Sequence, residues 1–132
     1  QLSALGIGEI DLGDTIGVAY PADIAALLSE FTQDIAGITL HLHDTFARAA
    51  DCVRTALEMG VRSFDGSAAG LGGCPYASKP GAPAPGNIAT ELLVRTIHAA
   101  GYETNVDSDA LAAASAYAAK IVADSRATGT NA

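Results

Sequence analysis

The stretch ITLHLHDTFARAADCVRTALEMGVRSFD, residues 38–65, decides the fold, because it predicts a strand, a helix and a second strand in immediate succession. Residues 38–43, ITLHLH, are typical of a strand, and Asp44 is placed to cap a helix over 46–59. A glycine ends that helix, and residues 61–65 form the following strand. Strands connected through a crossover helix run parallel, so the stretch predicts a βαβ unit.

The same pattern repeats on both sides of this unit. Residues 7–12 predict a buried strand that ends in Gly-Asp-Thr, and a helix with apolar residues at three- and four-residue spacing follows over 21–37. After the third strand comes a loop over 66–86 that is rich in Gly, Pro and Ala, and then a helix over 87–100. Asp107 can cap a last, alanine-rich helix.

The order β-α-β-α-β-α with one extra helix is typical of parallel α/β architecture, whose functional sites lie at the carboxyl ends of the strands. Asp14, His43 and Asp65 end the three predicted strands. A closed (β/α)₈ barrel needs about 250 residues, so the chain predicts either a small open sheet or part of a barrel. We expect a folded region over 1–126 and a frayed tail over 127–132.

Composition excludes several classes of function. Hydrophobic residues make up 49% of the chain, which is enough to build a core. A formal charge of −8, with seven Lys and Arg and no basic cluster, argues against nucleic-acid binding. No apolar run reaches the roughly 18 residues that span a bilayer, and the first residues lack the features of a signal peptide. With a bacterial source assumed, we expect a cytoplasmic protein that binds neither nucleic acid nor membrane.

His41 and His43 are the first candidate functional pair, because side chains two apart on a strand point to the same face and can approach one ion together. Imidazole binds divalent transition ions, while a nearby oxygen donor such as Asp44 suits Mg²⁺ or Mn²⁺. The alternative is a pair of core histidines satisfied by hydrogen bonds. The pair alone leaves both interpretations open.

A thiol in a glycine-rich loop is the second candidate feature. Cys74 lies within GLGGCPY, residues 70–76, whose glycines permit unusual backbone angles. Such a thiol can act as a general acid or base, or as a nucleophile if its pKa is lowered. The alternative is a tight turn with an inert small residue. Cys52 lies inside a helical pattern and is expected to be ordinary packing.

Three further polar residues complete the set of candidates. Asn87 precedes a predicted helix and can be its N-cap, or its side-chain oxygen can ligate a hard cation. Glu91, one turn further along, can orient groups of the preceding loop. Asp14 can be a capping aspartate or a carboxylate that handles protons. Spacing does not choose between these roles.

Four segments together carry a resemblance to a known family. They are LGDTIGV (12–18), HLHDT (41–45), DGSAAGLGGCPYA (65–77) and GNIATE (86–91). In this order they resemble the hydroxymethylglutaryl-CoA lyases (HMG-CoA lyases) of the metal-dependent (β/α)₈ metallolyase superfamily, over residues 5–125. The HxHD pattern is shared across that superfamily, whereas GLGGCPYA is more specific to the lyase branch.

The resemblance implies the last three β/α units of a (β/α)₈ TIM barrel plus a C-terminal helix. It implies a metal-assisted retro-Claisen cleavage of an acyl-CoA substrate, 3-hydroxy-3-methylglutaryl-CoA, to acetyl-CoA and acetoacetate, with Mg²⁺ or Mn²⁺ as cofactor. His41, His43 and Asn87 match metal ligands in this family. Cys74 matches the catalytic loop cysteine, and Asp14 matches a strand-end carboxylate that works in proton transfer, in which His41 also takes part.

Two departures from the family pattern accompany these matches. The first barrel strand of the family supplies an Arg-Asp pair, whose aspartate completes the metal shell and whose arginine steadies the enolate, and residues 1–11 contain no such motif. The implied partner is therefore a missing N-terminal half of the barrel, on the same or another chain. Residues 79–85 are also longer and richer in proline than the family pattern, which can stiffen the loop.

Two alternative functions stay open at this point. One is a non-catalytic partial barrel that forms a homo-oligomer through exposed strand edges, since unpaired edges favour self-association. The other is a related acyl-CoA lyase or a Claisen-type synthase of the same superfamily. The segment GGCPY, residues 72–76, argues against the synthase.

Overall fold

The computed structural model describes residues 5–31, 35–73 and 86–129 of the 132-residue chain. The predictions for Cys74 and for residues 79–85 lie outside these ranges. Within the described ranges, no helix combines the length and the apolar character needed to cross a bilayer.

A parallel sheet organises the described part of the chain. Its strands, in spatial order, are β1 (Ile10–Asp14), β2 (Ile38–Leu42) and β3 (Ser63–Asp65). Ile10 lies beside Ile38, and His41 lies beside Asp65, so both neighbours of the central strand run in its direction. The predicted parallel α/β architecture is confirmed, and the carboxyl ends of all three strands meet at one edge of the sheet.

Helices follow each strand. They are α1 (Pro21–Ser29), α2 (Ala49–Glu58), α3 (Thr90–Ala99) and α4 (Ser108–Gly129), with short 3₁₀ turns at Ile35–Gly37 and Ala68–Gly70. Each of the first three helices is shorter than the apolar pattern predicts, and each difference has a local cause.

The first helix ends at Ser29 and does not continue to residue 37 as predicted. The backbone tightens at its end, where the Phe31 N–H donates to the Leu28 carbonyl at 3.0 Å. Ile35 belongs instead to a separate 3₁₀ turn, and its side chain lies against Gly60. The three- and four-residue spacing of apolar residues therefore continues past the end of the helix, because the helix and the 3₁₀ turn pack on the same core.

The second helix begins at Ala49 instead of residue 46, because Ala47 has a φ of 56°. A left-handed residue cannot be part of a right-handed helix. Asp44 nevertheless contacts the start of this helix, since its Oδ1 accepts a hydrogen bond from the Ala49 N–H at 3.0 Å. The predicted N-cap position was wrong, whereas the predicted pairing of this carboxylate with the helix start is confirmed.

The third helix begins at Thr90 with Ala89 at its N-cap, so the N-cap role considered for Asn87 is wrong. The reason is that the preceding residues are extended and pair with the sheet. Ser67 and Ala89 form an isolated parallel bridge, and the Ser67 N–H donates to the Ile88 carbonyl at 3.1 Å.

The last helix has the predicted cap, because Asp107 Oδ1 accepts a hydrogen bond from the Ala110 N–H at 2.8 Å. The helix continues to Gly129, and the frayed tail expected over 127–132 stays a prediction. Alanine is the strongest helix former, and an ion pair between Lys120 and Asp124 spans one turn near this end.

The two faces of the sheet differ in polarity. Ile38, Leu40 and Leu42 are buried and share one core with Val53 and Ala56 of α2. Burial of a large aliphatic side chain of this kind contributes roughly 1.5–3 kcal/mol. Alternation along β2 then directs the residues between them to the opposite face, away from this core.

That opposite face carries polar side chains. The buried Thr39 hydroxyl bonds to Ser63 Oγ at 2.8 Å and also to the Glu9 carboxylate. His41 follows on the same face of β2, closer to the carboxyl end. The polar side of the sheet therefore leads directly to the predicted functional residues.

Candidate active site

His41 is held by a carboxylate on the neighbouring strand. Its Nδ1 lies 2.8 Å from Asp65 Oδ2 and 3.0 Å from Oδ1, because the two residues are partners in the register of β2 and β3. In a neutral imidazole, Nδ1 is then the protonated nitrogen, and Nε2 presents a lone pair. Carboxylates hold metal-binding histidines in this way, fixing both the tautomer and the ring orientation.

His43 brings a second nitrogen to the same point. The Nε2 atoms of His41 and His43 are 3.3 Å apart, and the ring planes make an angle of 64°. Two nitrogens that bind one cation at about 2.1 Å, with an angle near 90–105°, lie about 3.0–3.4 Å apart. The pair can therefore share a cation, or one ring can donate a hydrogen bond to the other.

Asn87 lies beside His43 through backbone pairing. The segment before α3 lies antiparallel to the end of β2, where His43 and Asn87 form an isolated bridge. The Ile88 N–H donates to the Leu42 carbonyl at 2.9 Å, and the Asp44 N–H donates to the Gly86 carbonyl at 3.1 Å. These bonds on either side of the bridge bring together two residues that are far apart in the sequence.

The amide of Asn87 is oriented by one hydrogen bond. Its Nδ2 donates to the Leu71 carbonyl at 3.1 Å, which leaves Oδ1 as the remaining donor atom for a ligand. Among the residues that the structure describes, neither Asn87 Oδ1 nor His43 Nδ1 has a hydrogen-bond partner, although both are buried. A buried polar atom without a partner costs free energy, so such atoms are expected to have a ligand or a further partner in the working protein.

These donors fit a divalent cation. The described part of the chain contains no group of three His, Cys, Asp or Glu side chains placed to hold a metal. The third donor here is an amide oxygen, so the set consists of two imidazole nitrogens and one oxygen. Three protein ligands leave open positions for substrate oxygens, which is the arrangement of a catalytic site.

Asp14 occupies the predicted strand end and holds the turn that follows. Its Oδ1 accepts from the Val18 N–H at 3.1 Å and its Oδ2 from the Ala19 N–H at 2.9 Å. The interpretation of Asp14 as a helix cap is wrong, because α1 begins at Pro21 with Tyr20 at its N-cap. Each carboxylate oxygen keeps a second lone pair, so these bonds leave room for the proton-transfer role, which stays a prediction.

Glu91 lies in the first turn of α3 and contacts the glycine-rich loop. Its Oε2 accepts a hydrogen bond from the Ala69 N–H at 3.2 Å. Burial opposes the charge of this carboxylate, but hydrogen bonds from Ser115 and from backbone N–H groups outweigh it and lower the pKa of Glu91 below 4.5. Glu91 is therefore an anion at neutral pH that holds the loop at Ala69.

Close backbone packing defines the start and end of the loop that contains Cys74. Gly73 and Gly86 form an antiparallel bridge. A Cβ on Gly86 would lie 1.6 Å from the Gly72 carbonyl oxygen, so only glycine fits there. Gly73 and Gly86 are thus held together next to Asn87, and the role of Cys74 stays a prediction.

Cys52 behaves as the sequence predicts. It is a free, buried cysteine on α2, and burial, followed by the charges of Asp14 and Asp51, raises its pKa to about 11. A thiol of this kind stays protonated and is a packing residue.

The candidate residues that the sequence selected are only part of the site. Asp65 was recognised as the end of a strand but was not chosen, although it contacts His41 directly. The available signal was the strand register, which pairs the ends of neighbouring parallel strands. Nothing in the sequence indicated a role for Ser115, because its helix lies outside the repeating β/α pattern.

A parallel sheet with two imidazoles and an amide near its carboxyl edge defines a parallel α/β protein with a candidate cation site. The family model described as HMGL-like matches residues 1–117, and the chain belongs to this family. The chain is 47% identical, over 114 residues, to a hydroxymethylglutaryl-CoA lyase of Pseudomonas mevalonii, covering 85% of this chain and 36% of that protein.

Solved structures agree with the sequence comparison. The HMG-CoA lyase of Brucella melitensis superimposes with a TM-score of 0.83 at 41% identity, covering 91% of this chain and 42% of that one. The HMG-CoA lyase of Acinetobacter baumannii, solved with coenzyme A and 3-methylmalate, gives a TM-score of 0.71 at 41% identity, covering 83% of this chain and 35% of that one. The chain thus spans only about a third of the curated relative it matches, in the C-terminal part.

Proposed function

We propose that this chain supplies the metal-binding edge of an HMG-CoA lyase, which cleaves 3-hydroxy-3-methylglutaryl-CoA to acetyl-CoA and acetoacetate. The observation that carries the proposal is the 3.3 Å approach of two imidazole nitrogens beside an amide whose oxygen has no partner among the described residues. Mg²⁺ or Mn²⁺ is the cation, since substrate oxygens would fill the remaining positions.

The chain's own residues have separate tasks in this reaction. A bound cation supplies polarisation of the tertiary hydroxyl and a carboxylate oxygen of the substrate. Asp65 keeps His41 in the tautomer whose Nε2 faces the site. The substrate hydroxyl loses its proton to Asp14, and the carbon–carbon bond breaks. The thioester enolate accepts a proton from the Cys74 thiol, and the proton held by Asp14 is returned to the thiolate. His41 orients the substrate oxygens for these transfers.

The rest of the barrel is the proposed partner of this chain, which would form the last three of eight β/α units. A largely apolar cavity of about 310 Å³ lies between β1 and α1. Leu12, Leu40 and Leu42 line it from the sheet, and Leu27, which is 44% exposed, lines it from the helix. An adjoining β/α unit would fill this cavity, and its first strand would pair with β1. The Arg-Asp pair of the family would come from that missing part.

An enzyme assay tests the proposal. The chain is combined with the N-terminal part of the Pseudomonas mevalonii relative, either fused in place of the matching residues or as a separate polypeptide, and acetoacetate is measured with Mn²⁺ present. We expect release of acetoacetate, and its loss in His43→Ala. A folded, Mn²⁺-loaded assembly without activity would contradict the proposed function.

The second candidate is the non-catalytic partial barrel that self-associates. It is favoured by the exposed Leu27 beside the apolar cavity, which another copy of the chain could cover. Mass measurement in solution separates the two candidates. A stable oligomer that does not combine with the N-terminal part supports self-association, whereas a one-to-one complex supports the lyase.

A further inference from the structure

Ser115 connects α4 to the loop that carries the site. The side chain is 4% exposed, in a helix whose other residues are mostly exposed. Its hydroxyl oxygen accepts a hydrogen bond from the Ala69 N–H at 3.2 Å. That N–H is shared with Glu91 Oε2, also at 3.2 Å, and the Ser115 hydroxyl donates to the Glu91 carboxylate. Three elements are thus joined in one closed set of hydrogen bonds.

The backbone held by this set is in an unfavourable conformation. Ala69 has a φ of 56° and Gly70 a φ of 63°, and the left-handed conformation at Ala69 costs about 1 kcal/mol or more. Such a conformation persists only when surrounding contacts impose it. The hydrogen bonds that the Ala69 N–H donates to Ser115 Oγ and Glu91 Oε2 are among those contacts.

The same stretch of backbone orients Asn87. The Leu71 carbonyl, two residues after Ala69, accepts the hydrogen bond from Asn87 Nδ2 at 3.1 Å. The loop also packs closely on the amide, since a Cβ on Gly72 would lie 3.2 Å from Asn87 Nδ2. Any change in the backbone at Ala69 is therefore passed to the Asn87 side chain over a short, contiguous path.

We propose that Ser115 is a positioning residue, which orients the Asn87 side chain by holding the backbone from Ala69 to Leu71. The helix α4 thereby becomes part of the site, although it lies outside the repeating β/α pattern and none of its residues is a candidate ligand. The effect on cation affinity rests on the proposed function, whereas the effect on the orientation of Asn87 does not.

The test compares Ser115→Ala with Ser29→Ala in the full chain. Ser29→Ala is the matched control, because it removes a hydroxyl that bonds to the Ala26 carbonyl within α1. Without metal, we expect the nuclear magnetic resonance signals of the Ala69 amide and the Asn87 side-chain amide to shift in Ser115→Ala alone. Mn²⁺ affinity, followed by electron paramagnetic resonance, should fall about tenfold in the same variant.

A rescue variant distinguishes the loss of positioning by the hydroxyl from a general loss of structure. Ser115→Thr keeps the hydroxyl and should restore both signals, whereas Ser115→Cys, with a weak donor, should shift them as alanine does. If Ser115→Ala does not fold, Ser115→Cys takes its place. A folded variant without the hydroxyl that keeps both signals unshifted overturns the proposal. A wild-type chain that binds no Mn²⁺ even when combined with the N-terminal part of the relative contradicts the proposed function, while the two signals still decide the role of Ser115.

Discussion

At the scale of single residues, the candidate site depends on how its side chains are oriented. Each of these side chains could otherwise have had a purely structural role. The tautomer of His41 is set by Asp65, and the amide of Asn87 is set by the Leu71 carbonyl. The Asp65 carboxylate can be removed by substitution without changing any of the three candidate metal-binding side chains, whereas the Leu71 carbonyl belongs to the backbone.

Removal of the Asp65 carboxylate tests the first of these contacts. Asp65→Ala frees the His41 ring to rotate and to change tautomer, so we expect Mn²⁺ affinity to fall about 10–100-fold. Electron paramagnetic resonance titration measures the change. Asp51→Ala, which removes a carboxylate paired with Arg54 on the surface of α2, is the control and should leave the affinity unchanged. Equal affinities in both variants would show that Asp65 does not support the site.

Glu91 predicts a pH dependence of stability. Hydrogen bonds from Ser115 and the backbone outweigh burial and lower its pKa in the folded state, so the anion stabilises the fold. This contribution is fully present above the unfolded pKa of about 4.5 and disappears as the pH falls through the lower, folded pKa. Glu91→Gln should therefore lose roughly 1 kcal/mol of unfolding free energy at pH 7, and this loss should become smaller as the pH falls below about 4.5.

Urea denaturation of both proteins from about pH 3 to pH 7 measures this difference. Glu103→Gln, an exposed position, provides the control. A stability difference for Glu91→Gln that grows as the pH falls would have the opposite sign and would contradict the assignment.

At the scale of elements, the turns that follow the strands help to fix the positions of the site residues. The turn after β1 has Gly17 at a φ of 69°, buried against the turn after β2. A Cβ on Gly17 would lie 2.7 Å from Thr45 Oγ1 and 2.8 Å from the His43 carbonyl oxygen. These two turns therefore fix the position of the His43 backbone by direct contact.

Gly17→Ala should disturb both stability and the site. The left-handed backbone alone costs roughly 1–2 kcal/mol with a side chain, and the contact with backbone at His43 adds to it. We expect a loss of at least about 2 kcal/mol in denaturant titration and a shift of the His43 ring signals. Gly13→Ala is the matched control, since a Cβ there meets no atom within 4 Å. Similar effects of the two substitutions would contradict this account.

At the scale of the whole molecule, one apolar surface is left uncovered by the residues that the structure describes. The cavity between β1 and α1 is bounded by leucines of both elements. In the proposed barrel the adjoining unit would bury this surface. The hydrophobic effect would then stabilise the contact between the two parts.

Leu27→Ser should therefore lower the affinity of the chain for the N-terminal part more than it lowers the stability of the chain itself. Leu27 is 44% exposed, so its replacement costs the isolated chain little, while the complex with the N-terminal part of the relative should dissociate about tenfold more readily. Ile121→Ser on α4, where the side chain is 50% exposed, is the matched control. Isothermal titration of the two parts gives the affinities, and equal values for both variants would place the interface elsewhere.

The sequence by itself determined the order of strands and helices, the parallel sheet and the alignment of polar residues with strand ends. It could do so because apolar periodicity and caps are local properties of the chain. It also predicted His41 and His43 as a pair on one face, since two-residue spacing in a strand permits no other arrangement. The 3.3 Å approach of their Nε2 atoms agrees with that prediction.

Only the tertiary structure decided how the remaining parts of the site are held. Asn87 lies beside His43 because a backbone segment, expected to start a helix, pairs with β2 instead. Asp65 and Ser115 reach their partners through strand register and helix docking. Contacts between residues distant in sequence have no local signature, because they depend on how whole elements pack. That is why the paired histidines could be predicted and the groups that orient the site could not.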